Sequence, residues 1–244
     1  MCTLKNAISI EGIAKGFHQK KVIQPLSLNI EKSGIFGLLG PSGCGKTTLI
    51  KMIVGLIKPD AGKVTVLDHE VPNEALLMDV GYMAQSDALY TELTGAENLE
   101  FFAKLYRFSK KERRERIQYA AEIVQLTNDL NVRVAHYSGG MKRRLSLAVA
   151  LIQNPAILIL DEPTVGIDPL LKQSIWQELE RLSNEDHKTI IITTHVMDEA
   201  ERCDKLAMLR EGEIIAAGTP AALKTQFAAE TLDDVFLRIG GGQK

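Results

Sequence analysis

The sequence predicts an α/β protein with a parallel-sheet core and an inserted α-helical subdomain. Three observations carry that expectation. Short apolar β-type runs alternate with helical patterns at both ends of the chain. A glycine-rich loop joins one of those runs to one of those helices. From about Thr94 to Ile152 the strand signals fade and helix formers dominate.

Taken in order, β-type runs occur near residues 7–10, 26–30 and 35–39. The glycine-rich loop follows, and then residues 48–57, where Leu49, Ile53, Leu56 and Ile57 recur at helical spacing. Lys58-Pro59-Asp60-Ala61-Gly62 closes that helix with turn chemistry, and residues 63–67 read as a strand. Residues 109–126 are the clearest helix of the middle stretch, with Ile117, Ala120, Ala121, Val124 and Gln125 on one side. The charge run at 110–116 contains Glu112 and Glu115, which favours a solvated helical face over a phosphate-binding patch. Residues 156–160 and 189–193 are continuous apolar runs, the pattern of strands buried on both faces. Pro169 after Asp168 is the cap-then-proline order that opens a helix.

Bulk properties set bounds. The 244 residues are 45% hydrophobic and 25% charged, ordinary for a globular chain, with a formal net charge of -2. That charge gives no electrostatic reason to expect a nucleic-acid partner. No apolar stretch approaches the roughly 18 residues of a membrane helix. The N-terminal Met1-Cys2-Thr3-Leu4-Lys5 is too short of apolar residues for a secretory signal. Cys2, Cys44 and Cys203 are an odd, widely spaced set, which argues against a disulfide framework or a zinc site. The expectation is a cytosolic chain, with any membrane span supplied by another subunit.

Gly40-Pro41-Ser42-Gly43-Cys44-Gly45-Lys46-Thr47 fits G-x-x-x-x-G-K-[ST]. Glycines let backbone N–H groups approach phosphate oxygens, and the following helix presents its positive end to the same anion. Lys46 is expected to reach the β- and γ-phosphates and the Thr47 hydroxyl to ligate Mg²⁺. Cys44 lies near Lys46 and a helix N-terminus, both of which lower a thiol pKa. A redox switch and a small residue tolerated at a variable position both remain open there, and the second is the better reading.

The run Ile157-Leu158-Ile159-Leu160 leads straight into Asp161-Glu162, delivering two acids to the carboxyl edge of the sheet. Asp161 is expected to hold Mg²⁺ through water, and Glu162 to polarise the attacking water. The run 189–193 leads likewise into Thr194-His195, which makes His195 a candidate γ-phosphate contact. Gln85 stands where the α/β pattern gives way to helices; the residues alone leave it undecided.

Tyr137-Ser138-Gly139-Gly140-Met141-Lys142-Arg143-Arg144 resembles the signature motif of ABC-type ATPases. Ser138 and the two glycines cap a helix running through Leu145, Ala148 and Leu151 and leave N–H groups for an anion. Two helix N-termini in one chain point to two copies facing each other, each signature completing the other's site. The resemblance covers nearly the whole chain. Residues 40–47, with Thr48 beside them, match the Walker A motif, Gln85 the Q-loop and residues 138–140 the signature. Residues 157–161 match the Walker B strand, Glu162 the catalytic glutamate, residues 165–168 the D-loop, and His195 the switch histidine. Phe17 falls where the family stacks an aromatic ring, more often tyrosine, on adenine.

The resemblance implies a P-loop NTPase (RecA-like) core with an N-terminal antiparallel β subdomain. It implies an ATPase domain over 1–225, with a helical subdomain inserted at about 86–153, and a C-terminal extension over 226–244. Glu162, His195, Lys46 and Gln85 would be catalytic. Phe17, residues 40–48, residues 138–140 and Asp168 would contact ATP, and Thr47, Gln85 and Asp161 would hold Mg²⁺. Met141, Gly166 and Thr231-Leu232-Asp233-Asp234-Val235-Phe236-Leu237 are similar to the branch that exports drugs, antibiotics, ions or lipids. The implied partners are an integral-membrane permease and a second ATP-binding subunit, most simply another copy of this chain. The implied location is the cytoplasmic face of the membrane. Leu89, Tyr90 and Leu93, within residues 86–99, offer apolar groups for a docking helix, and ordinary core packing is an equal alternative. A soluble remodelling or scaffold ATPase without a permease is the alternative; intact Glu162 and His195 oppose a non-hydrolysing binder.

Overall fold

The computed structural model describes residues 6–18 and 20–240; Met1 to Lys5, including Cys2 and the secretory-signal question, lie outside the described residues. In chain order the strands and α-helices begin with β1 (Asn6–Phe17), β2 (Lys20–Glu31), β3 (Gly34–Leu39), α1 (Lys46–Ile53), β4 (Ala61–Val66) and β5 (His69–Glu70). Next come β6 (Val80–Met83), α2 (Gly95–Ala103), α3 (Lys110–Ile123), α4 (Gly139–Leu151), β7 (Ile157–Asp161) and α5 (Pro169–Asn184). The chain continues with β8 (Thr189–Thr194), α6 (Met197–Ala200), β9 (Lys205–Arg210), β10 (Glu213–Gly218), α7 (Pro220–Gln226) and α8 (Leu232–Gly240). They divide into two compact units, Met1–Leu76 with Thr189–Lys244, and Leu77–Lys188.

In the first unit, β2-β1-β4-β5 form an antiparallel sheet. The runs near 7–10 and 26–30 are parts of two 12-residue strands. Register shifts between Ile10 and Ile13 and beyond break the strict alternation, so sequence periodicity stops short of the real strand ends. Strand β3 lies between β8 and β9, parallel to both, with β10 antiparallel on β9. Its Ile35 to Leu39 are all buried, as is the whole of β8, which is why both read as unbroken apolar runs. Helix α1 buries Leu49, Ile50, Met52 and Ile53. It ends four residues earlier than its spacing predicts. Gly55 turns left-handed at φ +76, its N–H bonds the Met52 carbonyl at 3.2 Å, and the Leu56 N–H bonds Lys51 at 2.8 Å. Leu56, expected on the buried stripe, is 62% exposed.

The C-terminal helices of this unit are part of its core. Leu232 and Val235 of α8 are buried with Leu39, Ala200, Leu206, Met208 and Leu223, and Arg238 donates to the carbonyls of Phe227 and Ala228. The tail is therefore packed against β3 and β9 residues.

In the second unit, β6 and β7 pair in parallel and α4 packs on both, with α2 and α3 against it. A Cβ at Gly81 would collide with the Ala150 carbonyl, so glycine is what lets α4 lie this close to β6. Capping boxes start α2 (Thr94 with Glu97) and α3 (Ser109 with Glu112). Helices α3 and α4 tie off each other's last carbonyls: Arg116 donates to Leu151 and Ile152, Arg144 to Val124 and Gln125. The charge run is thus a helical face, with Lys110, Lys111 and Arg114 exposed and Arg116 turned inward. Gln125, expected on the packed side, instead sits beyond the helix end at φ +53, exposed, while Ala120, Ala121 and Val124 are buried. Among the described residues no helix is long and apolar enough to cross a membrane.

Candidate functional site

The first unit holds the glycine-rich loop, Phe17 and His195; the second holds Gln85, Ser138, Gly139, Gly140, Asp161, Glu162 and Asp168.

Strand β3 runs into the loop at Leu39. Its parallel neighbour β8 ends in register with it, Leu39 opposite Thr194, and the Gly40 N–H bonds the Thr194 carbonyl at 3.3 Å. The loop and the exposed His195 thus leave the same carboxyl edge of adjacent strands, the placement the sequence predicts for them. Beneath His195, the Thr194 hydroxyl donates to buried Glu199 at 2.6 Å and accepts the Val196 N–H at 3.0 Å, which fixes the turn. Gly45, at φ +110, is the residue before α1; a side chain there would be strained and would meet Ile23. With no capping side chain and no acid in the first turn, the helix start offers its N–H groups and positive end to an anion. Lys46 is buried, and its ammonium bonds the carbonyls of Gly40 at 2.7 Å and Pro41 at 3.1 Å. Thr47 and Thr48 are half-buried behind it, while Pro41, Ser42 and Gly43 are exposed.

A cavity of about 320 Å³ opens beside this loop, lined by residues 41–44 together with Lys20, Lys21, Val22, Arg210 and Glu211. The Phe17 ring, 44% exposed, belongs to the same β1–β2 end, opposite Lys20, with the Lys15 ammonium 5.5 Å from its centroid. The basic lining from Lys20, Lys21 and Arg210 has no motif in the sequence, because it converges from distant strands. Of the two readings of Cys44, the structure favours the small tolerated residue, and the lowered thiol pKa is not found. The residue is 6% exposed, and burial pushes the thiol pKa up, outweighing the Lys46 charge and the local N–H bonds. A thiol held protonated is the inert kind, which removes the ground for a redox switch.

In the second unit, β7 is buried throughout and ends on Asp161, itself fully buried. Glu162 follows, half-buried, with a left-handed φ of +54, a costly conformation for a glutamate. Gln85 follows β6, exposed, with its Nε2 3.5 Å from Glu162 Oε2, a long contact. The structure therefore brings Gln85, Asp161 and Glu162 together at the ends of paired strands. Ser138 caps α4, accepting the Met141 N–H at 3.2 Å. A Cβ at Gly139 would meet nothing within 4 Å, whereas one at Gly140 would stand 3.1 Å from the Gly166 carbonyl of the D-loop. Asp168 caps α5 by accepting the Leu171 N–H at 3.0 Å.

Two residues near the acids carry no sequence assignment. Tyr82 faces the same side of the sheet as Ile159, two residues before Asp161; its hydroxyl is buried without a hydrogen bond among the described residues. Burial first, and then the Asp161 charge, push its pKa up to about 12. Arg143 is 6% exposed and donates to the carbonyls of Ala84, Gln85, Asp161 and Glu162. Its signal was in the sequence: with Leu147 and Ala150 it makes an i, i+4, i+7 stripe, a charge on an otherwise apolar face.

A buried parallel strand, a glycine-rich loop and an uncapped helix start define a P-loop ATPase. The pattern of the ABC transporter family matches residues 23–165. The chain is 45% identical over 220 residues to the Nod factor export ATP-binding protein I of Rhizobium leguminosarum bv. viciae, covering 89% of this chain and 70% of that one. To the protein of that name from Rhizobium sp. (strain N33) it is 44% identical over 235 residues, covering 95% and 77%. The solved ATP-binding subunit of an ABC transporter superposes with a TM-score of 0.88 at 26% identity, over 96% of this chain and 99% of that one. An ATP-binding cassette captured as a dimer in a post-hydrolysis state with ADP and Pi superposes at 0.81, with 28% identity over 87% and 98%. The chain belongs to the ABC transporter family, of which it is an ATP-binding, ATP-hydrolysing domain.

Proposed function

We propose that this ATPase is the motor subunit of an exporter, closing head to tail with a second ATP-binding subunit around two ATP·Mg and driving a separate integral-membrane permease. The observation that carries the two-chain reading is the start of α4. Ser138 and Gly139 are exposed there with open space around Gly139, so the chain has a second anion-ready helix N-terminus in addition to that of α1. The dimeric cassette with ADP and Pi supports the same arrangement, and the relatives named for Nod factor export support the direction of transport.

In this reading Phe17 stacks on adenine, while residues 40–48 and Lys46 hold the phosphates. His195 contacts the γ-phosphate, residues 138–140 complete the partner's site, and Asp168 lies in the D-loop beside it. Glu162 takes up the proton of the attacking water, and Gln85 helps orient that water. The oxygen donors Thr47, Gln85 and Asp161 suit Mg²⁺, which is held by one or two carboxylates plus substrate phosphates rather than by an acidic cage. Among the described residues no group of three or more His, Cys, Asp or Glu is placed to hold a metal ion, so in this reading the ATP phosphates supply the remaining ligands. When bound, Mg²⁺ neutralises charge on the β- and γ-phosphates.

Docking to the permease falls on the segment after Gln85. Tyr90 is 47% exposed, packed edge-on against Phe101 at 4.7 Å, and Asn98 holds its backbone N–H and carbonyl at 2.9 Å each. Leu89 and Leu93 are half-buried beside it. A rigid, partly exposed aromatic group of this kind is what a partner helix seats on. The permease places the chain on the cytoplasmic face of the membrane.

Glu162→Gln is expected to keep MgATP affinity within about threefold and to cut turnover by about 10²-fold or more, measured by equilibrium binding and phosphate release. Turnover near the wild-type rate would remove Glu162 from its role.

A further inference from the structure

We infer that Arg143 is a positioning residue for hydrolysis, a guanidinium that fixes the ends of β6 and β7, and with them Gln85 and Glu162, to the signature helix α4. The inference rests on the reading of Gln85 and Glu162 given above.

Where two parallel strands end, their last carbonyls lose ladder partners and must be satisfied some other way. Here one side chain does it. Arg143 Nη1 donates to Ala84 at 2.7 Å and Gln85 at 3.0 Å, Nη2 to Glu162 at 2.7 Å and to Asp161, and Nε to Glu162 at 3.2 Å. The planar fork of guanidinium has donors enough for both strand ends at once; an ammonium on a single nitrogen does not. The bonds fall on the backbone of the functional residues themselves. The left-handed Glu162, which persists only if its surroundings over-determine it, has its carbonyl held twice.

A buried charge is expensive unless paired, and packing alone would be served by an apolar side chain on this face of α4. The compensation is Asp87, in the segment after β6, which Ser146 of α4 holds in place. Asp87 lies 3.6 Å from Arg143 Nη1 and accepts the Ser146 hydroxyl at 2.8 Å. Burial still lowers the Arg143 pKa, against the Asp87, Asp161 and Glu162 charges that raise it. One helix thus carries Ser138 and the glycines at its start and, one turn on, the clamp on the ends of β6 and β7. A change in the position of α4 is passed to Gln85 and Glu162 through a single rigid group.

The test compares Arg143→Gln, Arg143→Lys and Asp87→Asn in the full-length chain. Arg143→Gln is expected to lower kcat by about tenfold or more while MgATP affinity stays within about threefold, because positioning is lost and phosphate binding is not. Arg143→Lys is expected to recover part of kcat. Combined with Gln85→Ala, Arg143→Gln is expected to be non-additive, the double variant being about as slow as the slower single. Losses that multiply independently, or a kcat within about twofold of wild type, overturn the inference. Should Arg143→Gln not fold, Asp87→Asn decides: an about threefold or greater fall in kcat at unchanged affinity supports the clamp, and unchanged kcat overturns it. Glu162→Gln in the same assay separates the two claims, since full activity there refutes the site reading and not the clamp alone.

Discussion

Lys46 keeps its ammonium on the carbonyls of Gly40 and Pro41, so the residue that is to meet the phosphates also holds the loop that cradles them. Lys46→Ala removes both. Charge-assisted hydrogen bonds of about 1.5–3 kcal/mol make a fall in MgATP affinity of about tenfold or more the expected result, read by equilibrium binding. Unchanged affinity would count against the loop as the phosphate site. The positions of Glu162 and His195 directly after β7 and β8, and of the Lys46 loop after β3, were legible because each follows a continuous apolar run. Arg143 was legible only as a charge on the apolar stripe of α4; what it binds was not. Its partners are backbone carbonyls of residues 84, 85, 161 and 162, and carbonyls leave no trace in a sequence. For Cys44 the direction of the pKa shift was the part that could not be read. The neighbouring charge and helix end were visible, and the burial that outweighs them was not.

At the scale of elements, the caps were the most readable feature. Asp168 before Pro169 was expected to start a helix, and the Leu171 N–H bond starts α5 there. The same residue is proposed to serve the D-loop, and two substitutions separate the roles. Asp168→Ala is expected to cost about 1 kcal/mol, which in a chain of this size lowers Tm by about 2–4 °C. Asp168→Asn keeps the cap and is expected to leave Tm unchanged while lowering ATP turnover. Full turnover in Asp168→Asn would leave Asp168 as a cap and nothing more. Element ends were less readable. Helix α1 stops at Ile53 because Gly55 turns left-handed, and an apolar Leu56 just beyond imitates a further helical turn. The long β1 and β2 were seen only in part, since shifted register hides alternation.

For the whole molecule, the α/β class followed from the alternation of buried runs with helices, and the helical middle from its loss of strand signal. The packing of α8 against Leu39 and Leu206 was beyond sequence reading, because an amphipathic end-helix does not name the surface it covers. The central claim is that two chains close over ATP, each signature completing the other's site. Glu162→Gln tests it most directly, since a chain that binds ATP without hydrolysing it should remain closed. Its mass by sedimentation in ATP and Mg²⁺ is expected near 54 kDa, twice the 26.9 kDa of one chain, and to return to that of one chain when ATP is removed. A mass of one chain with ATP bound would contradict the two-chain motor.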